Sequence, residues 1–169
     1  MTPPNLTTQR LTLRAPVMAD FPAYAAFWAS RRSRHMGGPR NTEGAWFWFC
    51  HDTAMWGLMG HGALMIDRND TGDTVGMAGV NAGPLFPETE LGWLLYPDHE
   101  GAGFATEAAS ALRDWAFATL PIDSLVSYIE PVNTGSAAVA RRLGAVVDEA
   151  APRREPADQV WRHHRGAAA

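Results

Sequence analysis

The stretch from Glu88 to Leu120 constrains the fold most, because three local structures follow one another there with almost no spacer. Residues 91–96 form a dense apolar and aromatic run, which predicts a buried strand that Pro97 ends. Residues 98–103 are polar and contain two glycines, a composition typical of a turn. From Phe104 onward, apolar residues recur at helical spacing. The sequence therefore predicts a strand, a glycine turn and a helix in succession.

The glycine turn predicts an anion site. The first four N–H groups of a helix have no internal partner, and the aligned peptide dipoles add partial positive charge there. Gly101 and Gly103, with the small Ala102 and Ala105, would leave these groups open to a phosphate. The alternative is that the glycines only permit a tight turn. Neither a GxGxxG motif nor a P-loop fits, because Thr106 stands where the first needs glycine and Gly-Lys-Ser/Thr is absent.

Residues 100–108, EGAGFATEA, resemble the acetyl-coenzyme A (acetyl-CoA) binding signature of the GNAT N-acetyltransferases, in the form used by the RimJ/RimL-like branch. Other parts of that branch's pattern occur in the family's order: residues 8–14, residues 90–93, Asn133 with Ser136, and residues 142–145. The sequence departs from the signature at Glu100, where the family has Gln or Arg.

The resemblance implies an α+β fold with a mixed, mostly antiparallel twisted sheet, a central parallel β-α-β crossover and flanking helices. The residues agree, because the run at 124–129 follows the central helix closely enough for a right-handed crossover with parallel strands. Ligands of such sheets lie beyond the carboxyl ends of the strands. We therefore expect the glycine turn and residues 130–133 to meet at one site.

The resemblance also implies a binding site for acetyl-CoA as co-substrate. In the family, a free backbone N–H of the central strand polarises the thioester carbonyl, and this position falls near Leu95. Contacts to the coenzyme are expected from Leu94, Leu95, Tyr96, Gly101, Ala102, Gly103, Phe104, Ala105, Thr106 and Asn133.

Two catalytic residues are predicted from the resemblance. Glu90 is the candidate base, since a partly desolvated carboxylate can hold a pKa nearer neutrality, and Glu88 is the reserve. Many members of the family use a tyrosine acid where this chain has Ala140. Ser136 is the expected substitute, with Asn133 bonding the coenzyme. The alternative is a local role, in which Asn133 caps the last helix.

The predicted reaction is transfer of an acetyl group from acetyl-CoA to a primary amine, by direct attack in a ternary complex. The acceptor is a protein N-terminus or a small-molecule amine, and the fold does not choose between them. The first alternative is a non-catalytic module that binds coenzyme A (CoA) or acyl-CoA. The second is an unrelated nucleotide-phosphate protein.

Composition limits the class of protein. We expect one domain over residues 1–169, with a core at about 8–164 and a short flexible tail. The net charge of −4 without blocks of like charge argues against nucleic-acid and membrane partners. A single cysteine, the absence of a signal peptide and the absence of a long apolar run indicate a soluble cytoplasmic protein. A homodimer is a possible assembly. No metal is expected, because His163 and His164 lack a third ligand and are predicted to be solvated.

The first two predicted helices would cover the acceptor site in the resembled family. Asp20 is expected to cap the first of them. The basic residues 31–35 that follow either bind an acidic group or complement the helix dipole. On the second helix, Trp46 and Trp56 are expected in the core, with the alternative that Trp46, Trp56 or His35 faces substrate.

Overall fold

The computed structural model describes residues 2–166. Its strands are β1 (Leu6–Thr7), β2 (Leu11–Arg14), β3 (Ala63–Arg68), β4 (Thr74–Asn81), β5 (Glu90–Leu95), β6 (Ser124–Ile129), β7 (Val146–Val147) and β8 (Gln159–His164). The α-helices are α1 (Phe21–Ala29), α2 (Thr42–Met59), α3 (Phe104–Thr119) and α4 (Thr134–Arg142). Short 3-10 helices cover Met18–Asp20 and Arg31–Met36, and we call the second of these the 3-10 segment.

The strands form one sheet in the order β1-β2-β3-β4-β5-β6-β8-β7. All neighbours pair antiparallel except β5 and β6, which are parallel and are joined by α3. The predicted mixed, mostly antiparallel sheet with a central β-α-β crossover is therefore confirmed. Its outer strands, β1 and β7, have two residues each, so they offer short edges for pairing with another chain.

The two faces of the sheet bury separate cores, because side chains alternate along a strand. On β5, Leu91 and Leu95 pack with α3 in the larger core. Leu94 and Tyr96 point the other way and pack beneath α1 and α2. Strand β5 therefore contributes side chains to both layers.

Helix boundaries follow capping signals in the sequence. The Asn41 side chain accepts a hydrogen bond from the Gly44 N–H, as an N-cap should, and α2 ends at Gly60 with a positive φ of 75°. The prediction for Asp20 was wrong. Its carboxylate accepts from the Val17 N–H and pairs with Arg14 instead of capping α1.

The prediction that His163 is solvated was also wrong. Strand β8 extends through His164, and His163, which pairs in register with Leu125, is buried with 1% of its surface exposed. His164 on the other face is exposed. Part of the predicted C-terminal tail, residues 167–169, lies outside the described residues. Between residues 2 and 166, no helix combines the length and the apolar character needed to cross a bilayer.

Candidate active site

A continuous cleft of about 1320 Å³ opens where β5 and β6 diverge, and we call this divergence of the two strands the fork. The two strands form a single register pair, Glu90 with Val126, although both continue for several residues. Twelve residues were predicted for the site. Nine of these line the cleft, and they are Glu90, Leu94, Leu95, Gly101, Gly103, Ala105, Thr106, Asn133 and Ser136.

The remaining three predicted residues lie beside the cleft. Tyr96 is buried under α1 with its ring centroid 6.2 Å from that of Phe27. Phe104 packs in the larger core, and Ala102 is exposed at the turn. These three are therefore placed to support the site.

The backbone of β5 leaves an N–H at the expected place. The Tyr96 N–H, which follows β5, donates to the Val75 carbonyl oxygen of β4 at 2.8 Å. Because successive N–H groups point to opposite edges of a strand, the Leu95 N–H points toward β6, where the ladder has already ended. This donor therefore faces the open side of the fork.

The glycine turn has the conformation that an anion cradle needs. Gly101 and Gly103 have φ values of 78° and 84°, in the left-handed region that favours glycine. A Cβ at Gly101 would meet no atom within 4 Å, so this side of the turn is open. The Thr106 hydroxyl, in the first turn of α3, is buried and has no hydrogen-bond partner among the described residues. An unpartnered donor in the lining of the cleft suits a phosphate oxygen.

A clamp that the sequence reasoning missed fixes this turn to the start of the sheet. Glu107 accepts hydrogen bonds from the Thr8 hydroxyl at 2.6 Å, from the Arg10 N–H at 2.9 Å and from Arg10 Nε at 2.7 Å. Arg10 Nη1 also donates to the Ala102 carbonyl oxygen at 2.9 Å. The family resemblance at residues 8–14 and 100–108 contains both halves of the clamp, but no local pattern shows that they meet.

Glu90 lies at the start of β5 with its carboxylate buried in the cleft. Burial raises the pKa of this carboxyl above its usual range, while the hydrogen bond from Asn81 and the charge of Arg154 act in the opposite direction. A carboxylate with a raised pKa can accept a proton from an amine near neutral pH. Glu88 is placed differently: Arg162 binds both of its oxygens, at 2.8 and 2.9 Å, outside the cleft lining.

Asn133 and Ser136 lie at the N-terminus of α4, on the opposite side of the fork from Glu90. The Asn133 side chain accepts from the Ser136 N–H at 3.2 Å, so the capping role is observed. Both residues also line the cleft. Ala140 is fully buried beside Trp161, so it supplies no acid.

Aromatic and basic residues line the other half of the cleft. The Trp28 and Trp48 rings are stacked with centroids 6.0 Å apart. Arg154 lies over Phe86 and Trp48, at 4.6 and 5.9 Å from their centroids. Neither Trp46 nor Trp56 lines the cleft. Trp56 is in the larger core as expected, whereas the expectation of a core position was wrong for Trp46, which is 38% exposed. Trp48 was missed, because it falls off the predicted stripe.

The roof of the cleft is held by two contacts from the 3-10 segment. Arg32 forms an ion pair with Glu100 of the glycine turn. His35 Nδ1 lies 2.6 Å from a carboxylate oxygen of Glu130, which follows β6. Arg32 and His35 thus pair with acidic groups of the protein itself, while Arg34 and His35 lie in the last turn of the 3-10 segment, so the structure agrees with both explanations for the basic residues 31–35. His35 also lines the cleft, as one alternative had anticipated.

Comparison with known proteins identifies the family of this chain. A model of the acetyltransferase (GNAT) domain family matches residues 10–146. The crystal structure of an acetyltransferase from Agrobacterium tumefaciens str. C58 is 57% identical, with a TM-score of 0.94 over 98% of this chain and 96% of that one. The uncharacterized N-acetyltransferase p20 of Bacillus licheniformis is 26% identical over 138 residues, covering 78% of this chain and 76% of the relative.

One further structure is similar in fold alone. RimL, a ribosomal L7/L12 alpha-N-protein acetyltransferase in complex with coenzyme A, is 18% identical, with a TM-score of 0.75 over 98% of this chain and 100% of that one. The family model covers most of the sequence, and the fold has the strand order and fork described above. The chain therefore belongs to the GNAT family of acetyltransferases.

Proposed function

We propose that the protein transfers an acetyl group from acetyl-CoA to a primary amine by direct attack in a ternary complex. The observation that carries the proposal is the fork between β5 and β6, with a glycine turn on one side and a buried carboxylate on the other. Acetyl-CoA would supply an activated thioester acyl group. The membership of the family and the coenzyme bound by RimL support this donor.

The residues of the turn fit a pyrophosphate. Gly101 and Gly103 keep side chains away from the N–H groups at the start of α3, and the Thr106 hydroxyl needs an acceptor. In this proposal the Leu95 N–H binds the thioester oxygen as negative charge develops on it. A donor of this kind is typically worth about 3 kcal/mol in the transition state.

Glu90 removes the proton that the attacking amine must lose, directly or through one water. The amine nitrogen forms a bond to the carbonyl carbon, and the carbon–sulfur bond breaks. In this proposal Ser136, which lines the cleft, donates its hydroxyl proton to the departing thiolate. Asn133 orients the same end of α4 through its cap.

The RimJ/RimL-like branch is part of the proposal. Its support is the sequence pattern at residues 8–14, 100–108 and 133–136 together with the fold shared with RimL. Under this assignment the acceptor is a protein N-terminus or a small amine. The stacked indoles and the Glu90 carboxylate would receive an amine with an apolar neighbour.

Thiol release from acetyl-CoA, measured against a panel of peptides and small amines, tests the proposal. We expect amine-dependent release by the wild type and a loss of about a hundredfold or more in Glu90→Gln. Glu88→Gln is the matched control, because Glu88 is bound by Arg162 outside the cleft, and it should keep most of the activity. Coenzyme binding by calorimetry without release for any amine would favour the non-catalytic module instead.

A further inference from the structure

The fork between β5 and β6 begins where a side-chain hydrogen bond replaces a backbone hydrogen bond of the ladder. The Val126 N–H donates to the Thr89 carbonyl oxygen at 3.0 Å, and Glu90 and Val126 pair in register. The next acceptor along β5 is the Leu91 carbonyl, which in a regular parallel ladder would bind the Tyr128 N–H. The Ser127 hydroxyl binds it instead, at 2.6 Å.

The Ser127 hydroxyl is held from its other side by the last long strand of the sheet. His163 Nε2 on β8 lies 3.0 Å from Ser127 Oγ, and the two residues are 1% and 3% exposed respectively. A carbonyl oxygen can only accept, so the hydroxyl hydrogen points to Leu91 and His163 Nε2 must carry the hydrogen that it shares with Ser127. His163 Nδ1 then bears no hydrogen, and it has no hydrogen-bond partner among the described residues.

The charges around His163 keep this arrangement fixed. Burial lowers the pKa of His163 to about 4, and the neighbouring Arg113 on α3 and His164 act in the same direction. The imidazole is therefore neutral near pH 7. A neutral ring whose Nε2 hydrogen is committed to Ser127 holds that hydroxyl in one orientation.

The missing backbone hydrogen bond between Tyr128 and Leu91 also affects Glu90. The Tyr128 N–H, which does not bind Leu91, acts on the Glu90 carboxylate and is one of the groups that lower its pKa. The other groups facing this carboxylate are Asn81 on β4, with Arg154 and Asp158 from the segment before β8. The same local break in the ladder thus opens the fork beside the candidate base.

We propose that Ser127 and His163 are positioning residues that hold β5 and β6 apart where the coenzyme enters the sheet. This inference rests on the proposed function, because it assigns the pair a role in that site. Ser127 lines the cleft at the vertex of the fork, whereas His163 acts through it. Neither residue is assigned a bond-making step.

Removal of the hydroxyl is the direct test. In Ser127→Ala the Leu91 carbonyl loses its partner, and the Tyr128 N–H can take its place and close the fork by one rung. We expect the Kd for CoA, measured by calorimetry, to rise about fivefold. We also expect the acid limb of kcat/KM for the amine to move to higher pH, because a Tyr128 N–H bound to Leu91 no longer lowers the pKa of Glu90. Ser124→Ala, on the same strand but bound to Arg162, should change neither quantity.

The histidine offers a second, graded pair of variants. His163→Gln keeps an N–H donor near the Nε2 position and should stay close to the wild type in both measurements. His163→Leu removes the donor and should resemble Ser127→Ala. His164→Leu is the matched control, since His164 is the next residue along β8 and its side chain is exposed.

The outcomes separate this inference from the proposed function. A wild type that neither binds CoA nor acetylates any amine would overturn the proposed function itself. An active wild type with unchanged Kd and pH profile in Ser127→Ala would overturn the positioning role alone. If Ser127→Ala does not fold, His163→Leu decides: equal behaviour of His163→Leu and His163→Gln in both measurements would overturn the inference.

Discussion

The Asn81 side chain donates a hydrogen bond to Glu90 Oε2 at 2.9 Å, across the last register pair of β4 and β5. This bond favours the ionised carboxylate, whereas burial of Glu90 favours the neutral acid, and burial is the larger effect. The balance leaves a base with a raised pKa inside the cleft. It also makes both stability and activity depend on pH in directions that can be worked out.

Stability should fall as pH rises because of Glu90. Below the pKa that Glu90 has in the unfolded chain, the carboxyl is neutral in both states, and its ionisation does not change the free energy of unfolding. Above that value the unfolded chain loses its proton while the folded protein retains it, so unfolding is favoured until the folded pKa is passed. Glu90→Gln removes this penalty and still offers a carbonyl oxygen to Asn81.

We therefore expect Glu90→Gln to raise the Tm at pH 8 but not at pH 4, by about 2–4 °C for each kcal/mol of penalty removed. Thermal unfolding of the wild type and the variant across this pH range checks the prediction. A difference in Tm that is the same at both pH values would show that ionisation of Glu90 is not its source.

Removal of the Asn81 side chain should change activity in the acid part of the pH range. Asn81→Ala removes a bond that lowers the pKa of Glu90, so the pKa rises further. Only the ionised base accepts a proton, and the acid limb of the kcat/KM profile for the amine should therefore shift to higher pH, with the rate at alkaline pH less affected. Asn69→Ala, in the exposed loop between β3 and β4, should leave the profile in place. An unshifted limb in Asn81→Ala would argue that another group controls it.

Local patterns in the sequence predicted much of the fold. Strand β6 occupies the predicted residues 124–129, because an apolar run bounded by turn residues indicates where a strand starts and ends. Asn41 and Gly144 mark helix ends for the same local reason. The glycine turn was recognised because glycine is the residue that adopts a positive φ at low cost.

Contacts between distant residues could not be predicted in this way. Glu107 and Arg10 are 97 positions apart, and only the sheet brings them together. His163 appeared to belong to a polar terminus, but its register opposite Leu125 turns it inward. Ser127 carried no motif at all, because its importance depends on where the ladder between β5 and β6 stops.

Substitution at the glycine turn tests the anion cradle. Valine at a left-handed position costs about 1–2 kcal/mol wherever it occurs. Gly103→Val should in addition cover the N–H groups at the start of α3 and crowd Arg10, whose Nη2 would lie 3.4 Å from the new Cβ. Gly72→Val is the matched control, since Gly72 has a φ of 77° in an exposed loop with no atom within 4 Å of a new Cβ.

Both valine variants should lose similar stability, but only Gly103→Val should weaken CoA binding, by tenfold or more on the loss of several charge-assisted hydrogen bonds. Calorimetry with CoA and thermal unfolding together give the comparison. Unchanged affinity in a folded Gly103→Val would place the pyrophosphate elsewhere.

Glu100 tests whether charge at the turn opposes coenzyme binding. Its carboxylate lies on the glycine turn, paired with Arg32, where the family signature has Gln or Arg. The side chain is 64% exposed, so its repulsion of a bound pyrophosphate is screened and worth at most about 1 kcal/mol. Glu100→Gln removes that repulsion and releases Arg32 to face the phosphates. We expect the Kd for CoA to fall about two- to threefold at low ionic strength, and the gain to shrink at about 0.5 M salt.

Glu149→Gln provides the control for Glu100→Gln. Glu149 is also an exposed acid paired with an arginine, Arg153, but it does not line the cleft. Each variant changes the net charge from −4 to −3, so the two variants differ only in where the charge is removed. Because only Glu100 adjoins the turn, only its variant should bind CoA more tightly. An equal gain in both would assign the effect to net charge, and no gain in either would show that the Arg32 pair already cancels the carboxylate.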